Sequence, residues 1–281
     1  MKTGSGLLAI VMGALAVMHM PATAAQDYLG AYQDAQQFQR QLQNMQDNAR
    51  AGSERNSAGR EQREVSEDDA AASGSDARTQ GLGALDFQPS PAVTARVNRA
   101  LADVLAGREP GGASGAVEVL GAVVRDDPRL RELLASQLGG ERAAIVAALD
   151  TGVLHRRYSE RLAARGYSAH NVADVNNAFL IHAWGFLHGP GFDVDGLYAA
   201  QRARSRKALA ATGAPPAMSG EAKQDLAETL ALLQMLSGAA WSRHPDPADR
   251  AVLQEGLAGV ARLLGVDLHA ARATAQGLAE R

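Results

Sequence analysis

Along residues 87–281, apolar positions recur every three or four residues, and Gly, Pro and short polar residues break the runs. This period lines apolar side chains along one side of a helix. It predicts an all-α fold, a multi-helix bundle with short turns. Ser90-Pro91 supplies an N-cap and a proline at the first helical position, ahead of Val93, Val97, Leu101, Val104 and Leu105, with Gly107 past the end. Asp127-Pro128 repeats the signal before Leu130, Leu133, Leu134 and Leu138. Residues 116–124 and 141–149 read as short helices, and Val153, Leu154, Tyr158 and Leu162 outline another that ends by Gly166. Ser168 is expected to cap a helix running to His188, and Asp193 or Asp195 to open one reaching Ala211. Ser219 is expected to cap residues 220–243, which carry Leu226, Leu230, Leu233, Leu236, Ala240 and Trp241 on one face. Asp246-Pro247 opens a helix through Val252, Leu253, Leu257, Val260, Leu263 and Leu264, and Asp267 reads as the start of a final short one.

The pattern ahead of residue 87 is different. Lys2, the apolar run Leu7–Met18, Pro21 and Ala22-Thr23-Ala24-Ala25 have the layout of a secretory signal peptide over residues 1–25, with cleavage near Ala24. The run is shorter than the roughly 20 apolar residues that span a bilayer. The expected location is therefore periplasmic or secreted, without stable membrane insertion after cleavage. Residues 26–50 are Gln-rich, yet Tyr28, Ala31, Ala35, Phe38, Leu42, Met45 and Ala49 alternate spacings of three and four. Self-association through residues 28–49 is one reading; a solitary, partly helical tail is the other, since such short helices are marginal alone. Residues 51–86 lack the apolar content to offset the entropy of ordering and read as a disordered linker. The charge clusters Arg60–Arg63 and Glu67-Asp68-Asp69 within it read as solvated. The helical domain is placed at 87–281.

Composition narrows the chemistry. With no Cys, disulfides, thiolate ligands and thiol catalysis are excluded. A formal charge of −3 argues against a general nucleic-acid binder. The basic residues are nearly all Arg, with Lys at 2, 207 and 223, which fits GC-rich codon usage rather than a phosphate site.

Most of the remaining polar interest lies in residues 168–188. On a helical wheel Val172, Ala173, Val175, Phe179, Leu180, Ala183, Phe186 and Leu187 cover an apolar arc of roughly 160°. Trp184 sits at its edge, Asn176 falls inside it, and Asp174, Asn177 and His188 fall opposite. A buried Asn176 amide requires a hydrogen-bond partner. Asp174 admits three readings: a capping-box partner of Asn171, an ion-pair partner of Arg157, Arg161 or Arg165, or a catalytic acid. His170, His182 and His188 lack the i, i+4 spacing of helical metal sites, and Asp174 and His188 stand about 21 Å apart along the axis. No hydrolase, phosphate-loop or dinucleotide motif is present. Asp174, Asn176, Asn177, His182, Trp184 and His188 are the candidates for ligand or partner binding. No catalytic residue, metal or cofactor is assigned.

Residues 87–97, FQPSPAVTARV, and 161–189, RLAARGYSAHNVADVNNAFLIHAWGFLHG, resemble a family of exported bacterial helical proteins carried as a domain of unknown function. The resemblance rests on Gly166, Asn171, Ala173, Asp174 and Trp184, and Asn176-Asn177 departs from the family's aromatic-rich run. It implies export and a helical domain, with no activity attached. The expected role is a non-enzymatic binding protein acting on an unknown protein or cell-envelope component. The alternative is an unrecognised hydrolase or small-ligand protein built on the polar residues of 168–188.

Overall fold

Three helices begin at a proline that follows a polar residue. Proline has no N–H to leave unpaired and its φ is already helical, so the first turn costs it nothing. The computed structural model describes residues 82–109, 115–116, 118, 127–136, 138–139, 141–189, 192–212 and 218–279. The leader, the Gln-rich segment, most of the linker and most of the helix expected at 116–124 lie outside them.

Among the described residues the chain is mostly helical, with eight helices. These are α1 (Pro91–Leu105), α2 (Pro128–Ala135), α3 (Arg142–Asp150), α4 (Val153–Ala163), α5 (Val172–His188), α6 (Val194–Thr212), α7 (Gly220–Arg243) and α8 (Pro247–Leu263). Two short antiparallel strands follow, β1 (Arg272–Thr274) and β2 (Gly277–Ala279), with Ala273 opposite Leu278.

Local chemistry accounts for the starts. Asp127 accepts from Arg129 N and Leu130 N at α2, Ser219 from Ala222 N at α7, and Asp246 from Ala248 N at α8. Ser90 does not cap with its own hydroxyl. Gln224 of α7 grips its backbone instead, accepting from Ser90 N at 2.8 Å and donating to Ser90 O at 2.9 Å. Asp193, rather than Asp195, anchors the first turn of α6 by accepting from Gly196 N at 3.0 Å.

Helices α5 and α7 form the spine. Helix α5 packs on α6, α7 and α8, while α7 also meets α1, α2 and α4. Val172, Val175, Ala178, Phe179 and Ala183 of α5 and Leu230 of α7 are fully buried between these neighbours. Burial of this kind stabilises by about 1.5–3 kcal/mol per large side chain. No helix among the described residues is long and apolar enough to cross a membrane.

Four expectations need correction. The packed body starts ahead of residue 87: Leu82 and Leu85 lie in the core, Phe87 N donates to His170 O, and Asp86 bridges to Asn171. Asn171, not Ser168, is the N-cap of α5, because Ser168 O is taken by Asn171 N in a turn. Asp267 opens a single turn, with Ala271 N donating back to Asp267 O, and leads into the β1–β2 hairpin rather than a helix. Leu263, expected on the packed face of α8, is 39% exposed at the helix end.

Candidate functional site

The six candidate residues share one helix but occupy separate environments. At the start of α5, Asn171 Oδ1 accepts from Ala173 N and Asp174 N at 3.0 and 3.1 Å. This fixes the Asp174 carboxylate beneath the preceding turn, where Oδ2 accepts from Ser168 N at 2.8 Å. Arg202 of α6 approaches the same oxygen at 3.2 Å. Asp174 is 1% exposed and its other oxygen, Oδ1, is buried without a hydrogen-bond partner. Burial raises its pKa above the ordinary carboxylate range, against the opposing pull of the Ser168 N–H, Arg202 and Arg206. The ion-pair partner of Asp174 is Arg202, not Arg157, Arg161 or Arg165.

One turn later Asn177 is also buried, so Asp174 and Asn177 do not face solvent as the helical wheel implies. Helix α6 covers that side. Asn177 Nδ2 donates to Ser205 Oγ at 2.8 Å, and its Oδ1 accepts from Gln201 Nε2 at 3.3 Å. Gln201 then turns its Oε1 to the N–H of Leu278 in β2 at 2.9 Å. Arg204 donates to Leu278 O. Asn177 thus reaches the C-terminal hairpin through one intervening side chain.

Farther along α5, Trp184 donates Nε1–H to Ala271 O at 3.0 Å, with Phe192 edge-on at 4.7 Å. His188 stacks on Trp184 at 4.6 Å and places Nε2 3.0 Å from Leu268 O. That carbonyl can pair only with a protonated nitrogen, so Nε2 carries hydrogen. Asn177, Trp184 and His188 together fasten residues 268–279 to α5. Asn176 is 8% exposed, and its Oδ1 is buried without the partner expected of it.

His182 points the other way, toward α7, with Nε2 3.0 Å from Ser237 Oγ. A hydroxyl beside an imidazole invites a nucleophilic reading. The surroundings oppose it. Ser237 is fully buried, and its hydroxyl donates to Gln234 O at 3.2 Å, which leaves Nε2 of His182 as the donor in the pair. Burial, reinforced by Arg161, lowers the His182 pKa to about 3. An imidazole so weakly basic is a poor acceptor for the proton of a nucleophile near neutral pH.

A second polar cluster had no sequence motif to announce it. Asn98 of α1 donates Nδ2 to Asp150 Oδ1 at 2.9 Å and turns its Oδ1 toward His155 Nε2 at 3.4 Å. Nearby, Glu228 Oε1 accepts from Thr94 Oγ1 at 2.9 Å and Gln224 Nε2 at 2.8 Å. Asp225 is 6% exposed, with Arg96 3.9 Å away, and burial raises its pKa to about 6. The one available signal was the polar Asn98 standing between the buried Val97 and the buried Ala100, Leu101 and Ala102 of α1. Its partners lie 52 and 57 residues away, so no short spacing links them. Among the described residues no group of three or more His, Asp or Glu is placed to hold a metal ion. No family model, curated protein or solved structure matches the chain.

Proposed function

We propose that the chain is an exported, non-enzymatic protein whose multi-helix bundle acts by binding a protein or cell-envelope component. The observation that carries this reading is the use made of the polar residues of α5. Asp174 faces Arg202 and Ser168 N, Asn177 faces Gln201 and Ser205, and Trp184 and His188 hold backbone carbonyls of the C-terminal segment. Most polar atoms of these side chains are committed to the fold, and the unpaired Oδ1 atoms of Asp174 and Asn176 are buried away from solvent. Export is supported by the leader pattern of residues 1–25. Binding then falls to the outer faces of the helices and to the N-terminal tail rather than to the polar residues of α5.

Two measurements test the reading. N-terminal sequencing of protein recovered outside the cytoplasm should begin at Ala25 or Gln26; retention of Met1 would contradict export. Ester, phosphoester, glycoside and peptide substrates should show no turnover that Asp174→Asn abolishes. Such turnover, with folding intact by circular dichroism, would establish the hydrolase instead.

A further inference from the structure

We propose that a basic strip formed by the end of α4 and the middle of α6 is covered by the acidic run Glu64–Asp69 of this same chain. This inference is independent of the function proposed above.

The strip is built around two tyrosines in contact. Tyr167 and Tyr198 meet edge to face at 5.0 Å, and Tyr167 donates its hydroxyl to Tyr198 O at 2.7 Å. Arg165 lies over the Tyr198 ring at 5.1 Å, and Arg202 over the Tyr167 ring at 5.3 Å. Arg161 and Arg206 stand close enough to act electrostatically on the same two hydroxyls. Four guanidiniums therefore converge, and two carboxylates answer them: Asp195 on Arg165 at 3.4 Å and Asp174 on Arg202 at 3.2 Å. Arg161 and Arg206 are exposed, and among the described residues neither forms an ion pair; Arg161 reaches Met235 Sδ, a weak acceptor. Lys207 adds a further exposed positive charge beside Arg206. A local positive excess on a chain of formal charge −3 attracts an anionic group.

The route of the chain selects the occupant. The described structure begins at Leu82, whose carbonyl accepts from Asn171 Nδ2 at 2.8 Å. Asn171 caps Asp174, and Asp174 holds Arg202, so the tail emerges a few hydrogen bonds from the strip. Upstream, Glu64, Glu67, Asp68 and Asp69 place four carboxylates within six residues. The intervening residues 70–81, AAASGSDARTQG, are small and polar and allow a typical reach of about 20 Å. Tethering at this length gives an effective concentration on the order of millimolar, an advantage that no free anion shares. The acidic run has a complementary surface within reach of the chain that leads to Leu82.

The chain has no Cys, so Ser66→Cys in the full chain gives a single site for a spin label. At about 20 mM salt, where charge attraction is weakly screened, the label should quench the amide signals of residues 161–167 and 202–207. The quenching should disappear at about 0.5 M salt. It should disappear equally when Glu64→Gln, Glu67→Gln, Asp68→Asn and Asp69→Asn are combined. Quenching absent at low salt, directed elsewhere, or persisting in the neutralised variant would overturn the proposal. So would anionic phospholipid vesicles binding the full chain and the neutralised variant equally, because the strip would then be open in both.

Discussion

The indole of Trp184 donates to the carbonyl oxygen of Ala271 at 3.0 Å, joining α5 to a residue 87 positions later. This bond explains why a tryptophan stands at the edge of the apolar face: its ring packs and its N–H meets a partner. Trp184→Phe keeps much of the ring and removes the donor. Ala271 O is then left buried and unpaired, at a cost of about 1–3 kcal/mol. Urea denaturation followed by circular dichroism should show that loss.

Asp225 predicts a pH dependence of opposite sign to the usual carboxylate. Its folded pKa of about 6 lies above the ordinary side-chain value of 3.8, so the folded state holds the proton more tightly. Its contribution is full below about pH 4 and is lost as pH rises through about 6. Asp225→Asn removes the ionisable group, so its stability relative to the native chain should improve from pH 4 to pH 8, by at most about 3 kcal/mol. Thermal melts of both proteins across that range measure the difference.

His182 acts in the other direction. Its folded pKa of about 3 lies below the ordinary 6.5, so the folded state resists protonation. Its contribution is present above pH 6.5 and is lost progressively as pH falls toward 3. His182→Gln keeps a donor for Ser237 and cannot protonate. The acid limb of the stability profile should therefore flatten, which unfolding midpoints at successive pH values will reveal.

Gly277 sits where the hairpin touches α6. Its φ is +103°, and a Cβ there would lie 2.4 Å from Gln201 Oε1 and 3.2 Å from Gln201 Cα. Gly277→Ala combines backbone strain with displacement of the side chain that links Asn177 to Leu278, and should cost about 1–3 kcal/mol. Differential scanning calorimetry should show the lowered midpoint, and Gly220→Ala, with open space around its Cβ, should not.

How much of this was legible in the sequence depended on the range of the determining contact. Asp127-Pro128, Ser219 and Asp246-Pro247 placed their helix starts correctly because a cap is settled within a few residues. Ser168 misled because its N–H is claimed by Asp174 and its carbonyl by Asn171, a choice between two local caps that pattern alone leaves open. The wheel put Asp174 and Asn177 opposite the core, but a wheel describes one helix and cannot show that α6 covers its polar side. The hairpin escaped notice because Arg272–Thr274 and Gly277–Ala279 are three residues each and lack a β-branched run. The cluster of Asn98, Asp150 and His155 is assembled from three helices, so its members carry no common spacing.

Asn177, Trp184 and His188 fasten the C-terminal segment to α5. Native-state hydrogen exchange of the Leu278 amide tests this most directly, because that N–H is held by Gln201, which is itself held by Asn177. In Asn177→Ala, exchange at Leu278 and Ala271 should accelerate strongly while amides in the middle of α1 and α8 change little. Unchanged protection at Leu278 would contradict the account and leave Asn177 free for another role.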